Sequence, residues 1–333
     1  MNGQPHMMTS SVKILNLQEI KAIDAEASVF MKKGIRLAQS GNDVDALPYL
    51  DHARELRRQL PTEVPIHAYG LAACWLNRAE ALTRLAPERH TLALSAYDEA
   101  LALLRPLPLG EDPRFSKRLA IAHQNRALVL AAQDPPATAD AIAALVNAIA
   151  VLDHAEAMAA AERDYLLGVV WMNLANVQAS EDTIVSDAAA LEAARRALAL
   201  VTLREREDAA AAEAGLKARH VVCQIAGRRL SRPTQRETVM ADVGEATDFA
   251  EEGLSLVYEW ERRGVDRFRN LAADLFRFGA RVYGHFQPHF LEEFLSEQLD
   301  PQLSTNFYVQ SREMQDAARE IVLMLPTSSS HQA

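Results

Sequence analysis

The chain has few of the residues that build sheets and cross-links. Aromatic residues make up 6% of its 333 residues, and it holds 13 glycines, 14 prolines and two cysteines. Runs of β-branched residues are nearly absent, which argues against central β-strands. Cys74 and Cys223 lie far apart, without CxxC or Cys/His metal spacing, so we expect neither a zinc site nor a disulfide framework. We interpret both as small buried side chains in a reducing, cytoplasmic compartment.

Long apolar runs and an excess of positive charge are also missing. No stretch of about 18 apolar residues occurs, so we expect no membrane span, and residues 1–11 lack the basic and apolar regions of a secretion signal. The net charge is −10, and no face is rich enough in lysine and arginine to neutralise a phosphate backbone, so we expect no nucleic-acid partner. Abundant alanine and leucine favour helices. Together with the excess of arginine over lysine, abundant alanine is also typical of bacterial proteins from GC-rich genomes.

Recognisable catalytic motifs are absent from the sequence. It contains no GxGxxG or GxxxxGK[ST] phosphate loop and no GxSxG nucleophile elbow. His285 and His289 are four residues apart near two glutamates, but Pro288 interrupts the helix that would align them as metal ligands. We therefore expect no enzymatic activity, no cofactor and no metal site. The charged segment 204–207 is interpreted as a solvated turn.

A spacing of small residues recurs along the chain. Asn77, Asn125 and Asn173 are 48 residues apart, and each is followed two positions later by alanine. A trio with offsets of four and three residues follows each of these segments, and two more trios lie earlier and later in the chain. Such residues lie on one helix face and allow a neighbouring helix to approach closely. The trios are Ala46–Leu50–Ala53, Ala93–Tyr97–Ala100, Ala141–Leu145–Ala148, Ala190–Ala194–Ala197 and Ala246–Ala250–Gly253.

These segments resemble the tetratricopeptide repeat (TPR) family. The segment Trp171 to Asn176 resembles the first-helix signature of that family, and Gly34, the Gly41-Asn42 turn and the first trio resemble one complete unit. The resemblance covers residues 27–285 and is clearest over 27–200; several units exceed the usual period of about 34 residues. It implies an all-α fold, a right-handed α-solenoid of about five to six TPR-like helix pairs with a C-terminal capping helix.

Proline and glycine positions place the helices and divide the chain. We expect a leader at 1–11, a repeat domain at 12–286, capping helices at 287–325 and a disordered tail at 326–333. The last predicted helix carries an apolar stripe at Phe307, Met314, Ala317, Ile321 and Leu325, which either caps the final pair or binds a partner. The predicted helices are 17–39, 44–60, 66–86, 89–105, 114–133, 137–160, 162–181, 187–203, 207–230, 236–263, 266–286, 289–298 and 305–325.

In the TPR family, residues of the first helices that flank the packing positions line a ligand groove. The resemblance therefore implies a mixed apolar and amide groove that binds a peptide segment or a partner protein. Alternatively, several of these residues pack against one another across tight curvature. The predicted groove residues are Met31, Ile35, Leu76, Glu80, Thr83, Gln124, Leu128, Met172, Asn176, Phe276 and Ala280.

The sequence leaves two alternative functions open, and it does not fix the roles of the repeated asparagines and of Arg78 and Arg126. The chain could be a peptide-responsive regulatory sensor or a homo-oligomeric scaffold instead of a simple interaction module. The three repeated asparagines are expected to bond helix backbone between neighbouring units, as in the family. Arg78 and Arg126 lie where Leu174 stands in the best-matching unit, and either pair with a buried carboxylate or reach solvent with packed stems.

Overall fold

In the computed structural model, residues 15–230 and 236–286 are described, and every regular element in these ranges is a helix. The predicted leader, capping helices and tail, like the stripe from Phe307 to Leu325, lie outside them. The helices are α1 (Leu17–Gln39), α2 (Asp43–Arg57), α3 (Pro65–Leu85), α4 (His90–Leu104), α5 (Pro113–Ala131), α6 (Thr138–Asp153), α7 (Ala160–Ala179), α8 (Ile184–Val201), α9 (Ala209–Leu230), α10 (Arg236–Glu261) and α11 (Arg269–Phe286), with a short 3₁₀ turn at Pro87–Arg89.

Local sequence signals set the helix ends. The Asn16 side chain accepts bonds from the backbone N–H groups of Gln18 and Glu19, and the Glu19 carboxylate accepts the Asn16 N–H, which is the predicted capping box. Gly41 has φ +81°, so the turn between α1 and α2 needs the left-handed conformation that glycine adopts freely. A second capping box, formed by Thr183 and Ser186, starts α8.

One predicted helix is too long. Helix α6 ends at Asp153, whereas the alanine-rich sequence predicted helix up to residue 160. Ala155 and Met158 lie in the following turn and are buried there. Burial of these two side chains outweighs the small helix preference of the segment, because propensity differences amount to less than about 1 kcal/mol per residue.

The described residues form two compact units that divide between Val129 and Leu130. In the first unit, α1 packs on α2, α2 on α3 and α3 on α4, and α1 also contacts α3. Helix α5 joins this unit through Phe115, whose ring centre lies 5.5 Å from that of Tyr69 on α3.

The second unit repeats this packing order. Each helix from α6 to α11 contacts the next one along the chain, and α9 contacts both α7 and α11. The first helix of one pair thus touches the first helix of the next.

The small-residue trios form the contact faces between helices. Every alanine in the first four trios is fully buried, as the spacing predicted. At the first trio, a β-carbon built on Gly34 of α1 would lie only 2.8 Å from Leu50, so α1 and α2 meet as closely as glycine permits. A β-carbon built on Gly168 of α7 would lie even closer, 2.5 Å from Val201 of α8. The sequence therefore identified the faces through which consecutive helices pack.

Candidate functional site

The predicted groove residues of the first unit lie on α1, α3 and α5, but they differ in accessibility. Leu76 is only 3% exposed, so it serves packing, as the alternative interpretation held. Leu128 is exposed, and the others in this unit are half-buried: Met31, Ile35, Glu80, Thr83 and Gln124. The accessible members of this set are therefore both apolar and polar, and Leu128 is the most exposed.

A cavity of about 330 Å³ opens between α3 and α5. Helix α3 contributes two of the predicted groove residues, Leu76 and Glu80. The remaining lining includes residues that the groove prediction did not contain. The full lining is Tyr69, Leu76, Asn77, Glu80, Arg114, Lys117, Arg118 and Ile121.

Three cations from the start of α5 face this cavity. Arg114, Lys117 and Arg118 are spaced i, i+3 and i+4, which places them on one side of the helix. The Arg118 guanidinium lies 4.7 Å from the centre of the Tyr69 ring, and that of Arg114 lies 5.9 Å from it. Sequence reasoning missed this cluster, although the spacing directly after Pro113 was a readable signal.

Glu80 is the carboxylate in the cavity lining. Its Oε1 accepts a bond of 3.1 Å from Nδ2 of Asn125 on α5. Burial raises the pKa of Glu80, and the nearby Arg84 and Arg118 act in the opposite direction. The lining thus combines the carboxylate of Glu80 with cations from α5, and one of these, Arg114, is already paired with Asp112 at 2.6 Å.

In the second unit, three of the four predicted groove residues are inaccessible. Phe276 is 0% exposed and Met172 5% exposed, so neither offers a surface to a ligand. Asn176 is exposed, but its Nδ2 lies 3.0 Å from the Met172 sulfur. Ala280 is buried as well.

A larger cavity, of about 460 Å³, lies between α9 and α11 beside Asp182. Arg228 is held by the fully buried Asp187 at 2.6 Å and by Asp182 at 3.2 Å, and Arg277 pairs with Asp274 at 3.0 Å. Cations and carboxylates therefore largely neutralise one another here. The full lining is Asp182, His220, Cys223, Gln224, Gly227, Arg228, Asp274, Arg277, Phe278 and Arg281.

His220 and Cys223 of this cavity are poor candidates for chemistry. Burial lowers the pKa of His220, while Asp274, whose oxygen lies 4.0 Å away, raises it less strongly. The Cys223 thiol donates to the carbonyl oxygen of Ala246 at 3.3 Å, and burial raises its pKa, so the reactive thiolate is suppressed. Both cysteines are buried and free, as predicted.

The sequence left open whether Arg78 and Arg126 pair with carboxylates, and the structure shows that both do. The Arg78 Nε donates to Asp51 at 2.9 Å, and the Arg126 Nε donates to Asp98 at 2.8 Å. Both aspartates directly follow the central residue of a trio in the preceding helix, and both are partly exposed instead of buried. Each arginine thus links its helix to the one before it.

The repeated asparagines do not share one role. The Asn77 Nδ2 donates to the carbonyl oxygen of Ala73 in its own helix at 2.7 Å, whereas Asn125 bonds the Glu80 side chain. The expectation that they bond backbone between units is wrong for these two. Asn173 is buried.

The interpretation of residues 204–207 as a solvated turn is wrong for Glu205. This carboxylate is buried and accepts bonds of 2.7 and 3.0 Å from Arg219 of α9. Its carbonyl oxygen accepts the indole N–H of Trp260 at 2.8 Å. Gly215 leaves room for it, since a β-carbon there would lie 2.6 Å from the carboxylate.

Metal and membrane features were searched over residues 15–230 and 236–286. No group of three or more His, Cys, Asp or Glu side chains within this part could hold a metal ion. The described helices include none with the length and apolar character needed to cross a bilayer. The pair His285 and His289 lies outside the side chains that the structure describes.

Comparison with known proteins leaves the fold and the two cavities as the main guides to function. No protein-family model matches the chain, and no curated protein sequence matches it.

Proposed function

We propose that this chain is a non-enzymatic, TPR-type interaction module that binds a peptide segment or a partner protein. In this proposal, the helix pairs stack with the right-handed sense of that family. The odd-numbered helices α1, α3 and α5 present the binding face in the first unit. The contact of α1 with α3, and of α9 with both α7 and α11, supports this arrangement, because first helices touch one another in such stacks.

One observation carries the proposal: the cavity between α3 and α5. It lies between two first helices, where the family resemblance places the ligand groove, and it includes Glu80 from the predicted set. Its lining mixes an aromatic ring, apolar side chains and hydrogen-bonding groups, a combination suited to a peptide that needs both apolar contact and backbone bonds.

The proposal places the protein in the cytoplasm. Its two cysteines are free and buried, a state suited to a reducing compartment. The high alanine and arginine content favours a bacterial source.

Affinity purification from the native cell, followed by mass spectrometry, tests the proposal. The bait with Gln124→Glu and Leu128→Glu changes two accessible groove positions, and the control bait with Ser95→Glu changes an exposed position on the second helix α4. We expect a partner that the wild type and the control retain and the groove variant loses. Retention of every co-purifying protein by a folded groove variant would contradict a binding role for this face.

A further inference from the structure

The side of α1 that faces away from α2 and α3 is open to solvent. Within residues 15–230 and 236–286, α2 packs against α1 and α3 touches it. The open side, called here the outer face, consists of residues three and four positions apart, which share one side of a helix. Four of its members are exposed, Val29 by 66%, and the other two are half-buried. The members are Ala22, Glu26, Val29, Phe30, Lys33 and Leu37.

An aromatic cluster from α1 and α2 borders the outer face. The centre of the Phe30 ring lies 4.1 Å from that of His52 and 6.4 Å from that of Tyr49. The Lys33 ammonium lies 4.2 Å from the centre of the Tyr49 ring. These contacts restrict the side chains beside the exposed Val29, so a partner that binds there removes little side-chain freedom.

The charges of the outer face are placed symmetrically about its centre, which is the pair Val29 and Phe30. Glu26 lies three positions before this pair and Lys33 three positions after it. Neither side chain forms an ion pair with another part of the chain that the structure describes. The helix dipole favours charges in the first and last turns, whereas these two lie in the interior of α1.

A second copy of α1, running antiparallel across the outer face, meets it with complementary groups. A twofold axis through the centre places each Glu26 opposite Lys33 of the other copy, so two ion pairs form at once. The same axis places Ala22 opposite Leu37, because these two residues are also equidistant from the centre. A parallel arrangement would instead bring like charges together.

We infer that two copies of this chain form an antiparallel homodimer through the outer faces of α1. Val29 and Phe30 form the apolar centre of the interface, and reciprocal pairs of Glu26 and Lys33 flank it. The inference is independent of the proposed peptide binding, since the outer face shares no residue with the cavity between α3 and α5. A dimer of this kind carries two copies of that cavity, which raises the avidity for a partner with two binding segments.

Size-exclusion chromatography with light scattering, over a dilution series of the full-length protein, tests the inference. We expect the wild type to have twice the 36.8 kDa mass of one chain and to dissociate on dilution. Lys33→Glu and Glu26→Lys each place like charges at both ion pairs and should raise the dissociation constant at least about tenfold. Lys32→Glu is the matched control: Lys32 is exposed on α1 but outside the outer face, so this variant should remain dimeric.

Mixing the two charge variants tests the proposed pairing directly. One copy then carries lysine at both positions and the other carries glutamate at both, so both ion pairs are restored and a heterodimer should form. A wild type with the mass of one chain at every concentration would overturn the inference, whatever else covers the outer face. A dimer that Lys33→Glu leaves intact, or a mixture of the two variants that stays monomeric, would overturn it as well.

Discussion

The closest helix approach in the first unit leads to a sharp prediction for Gly34→Ala. A β-carbon at this position would lie 2.8 Å from two side-chain carbons of Leu50 and 3.3 Å from the carbonyl oxygen of Ala46. Leu50 is fully buried and the Ala46 carbonyl is backbone, so neither can withdraw cheaply. Overpacking costs about 1–3 kcal/mol, whereas glycine to alanine favours an isolated helix by about 1 kcal/mol. We expect a net loss of about 1 kcal/mol of unfolding free energy.

Gly244→Ala is the matched control. Gly244 also lies in a helix, α10, but it is exposed and a β-carbon there would meet nothing within 4 Å. Only the helix preference then acts, and we expect a gain of roughly 0.5–1 kcal/mol. The same chemical change should therefore have opposite signs at the two positions.

Urea denaturation followed by circular dichroism measures both changes, and amide hydrogen exchange in α1 and α2 shows whether the loss is local. A double-mutant cycle tests the cause. Leu50→Ala removes the side chain that clashes, so Gly34→Ala should cost less in that background, with a coupling of about 1 kcal/mol or more. If Gly34→Ala stabilises the protein as Gly244→Ala does, the close packing of α1 on α2 is refuted.

Three further predictions concern buried and paired charges. Burial, with help from nearby guanidinium groups, lowers the pKa of His123 to about 4, so between about pH 6.5 and 4 the unfolded state binds a proton that the folded state does not. As the pH falls through that window, the free energy of unfolding should fall by on the order of 3 kcal/mol, and by less in His123→Asn, as measured by urea titration at each pH. Glu205→Ala removes the buried partner of Arg219 and leaves it only the exposed Glu252, 3.2 Å away, so it should cost about 2–3 kcal/mol in the same assay; a value below about 1 kcal/mol is the contrary outcome. Arg78→Leu removes a partly exposed pair with Asp51 and should cost less than about 1 kcal/mol in chemical denaturation, with a larger loss contradicting a surface-type role.

Much of the helix packing could be predicted from the sequence because close contact demands small side chains. Ala93, Ala141 and Ala190 are fully buried, as their spacing required. The all-helical class could be predicted from composition, because helix preference is a local property of each residue. The length of α6 was mispredicted because burial of Ala155 and Met158, a tertiary effect, ended the helix early.

The candidate site was less predictable, because its side chains come from separate helices. The groove prediction found Glu80 but included Leu76, which neighbouring helices cover; periodicity shows a face but not how much of it remains open. The sequence did not single out Arg118, because its guanidinium is placed by contact with the ring of Tyr69, which lies 49 positions earlier in the chain. Glu205 looked solvated because its partner Arg219 is on the next helix.

The near-identity of the alanine trios has a consequence for folding. An unpaired helix could dock almost equally well on several trios of the same chain, as happens in misassembled repeat proteins. The salt bridges Arg78–Asp51 and Arg126–Asp98 join particular neighbours, and the best-matching unit has Leu174 in the arginine position, so a wrong pairing there would leave a charge against an apolar side chain. These weak surface pairs thus favour the native neighbour of each helix over other pairings, although they add little to stability.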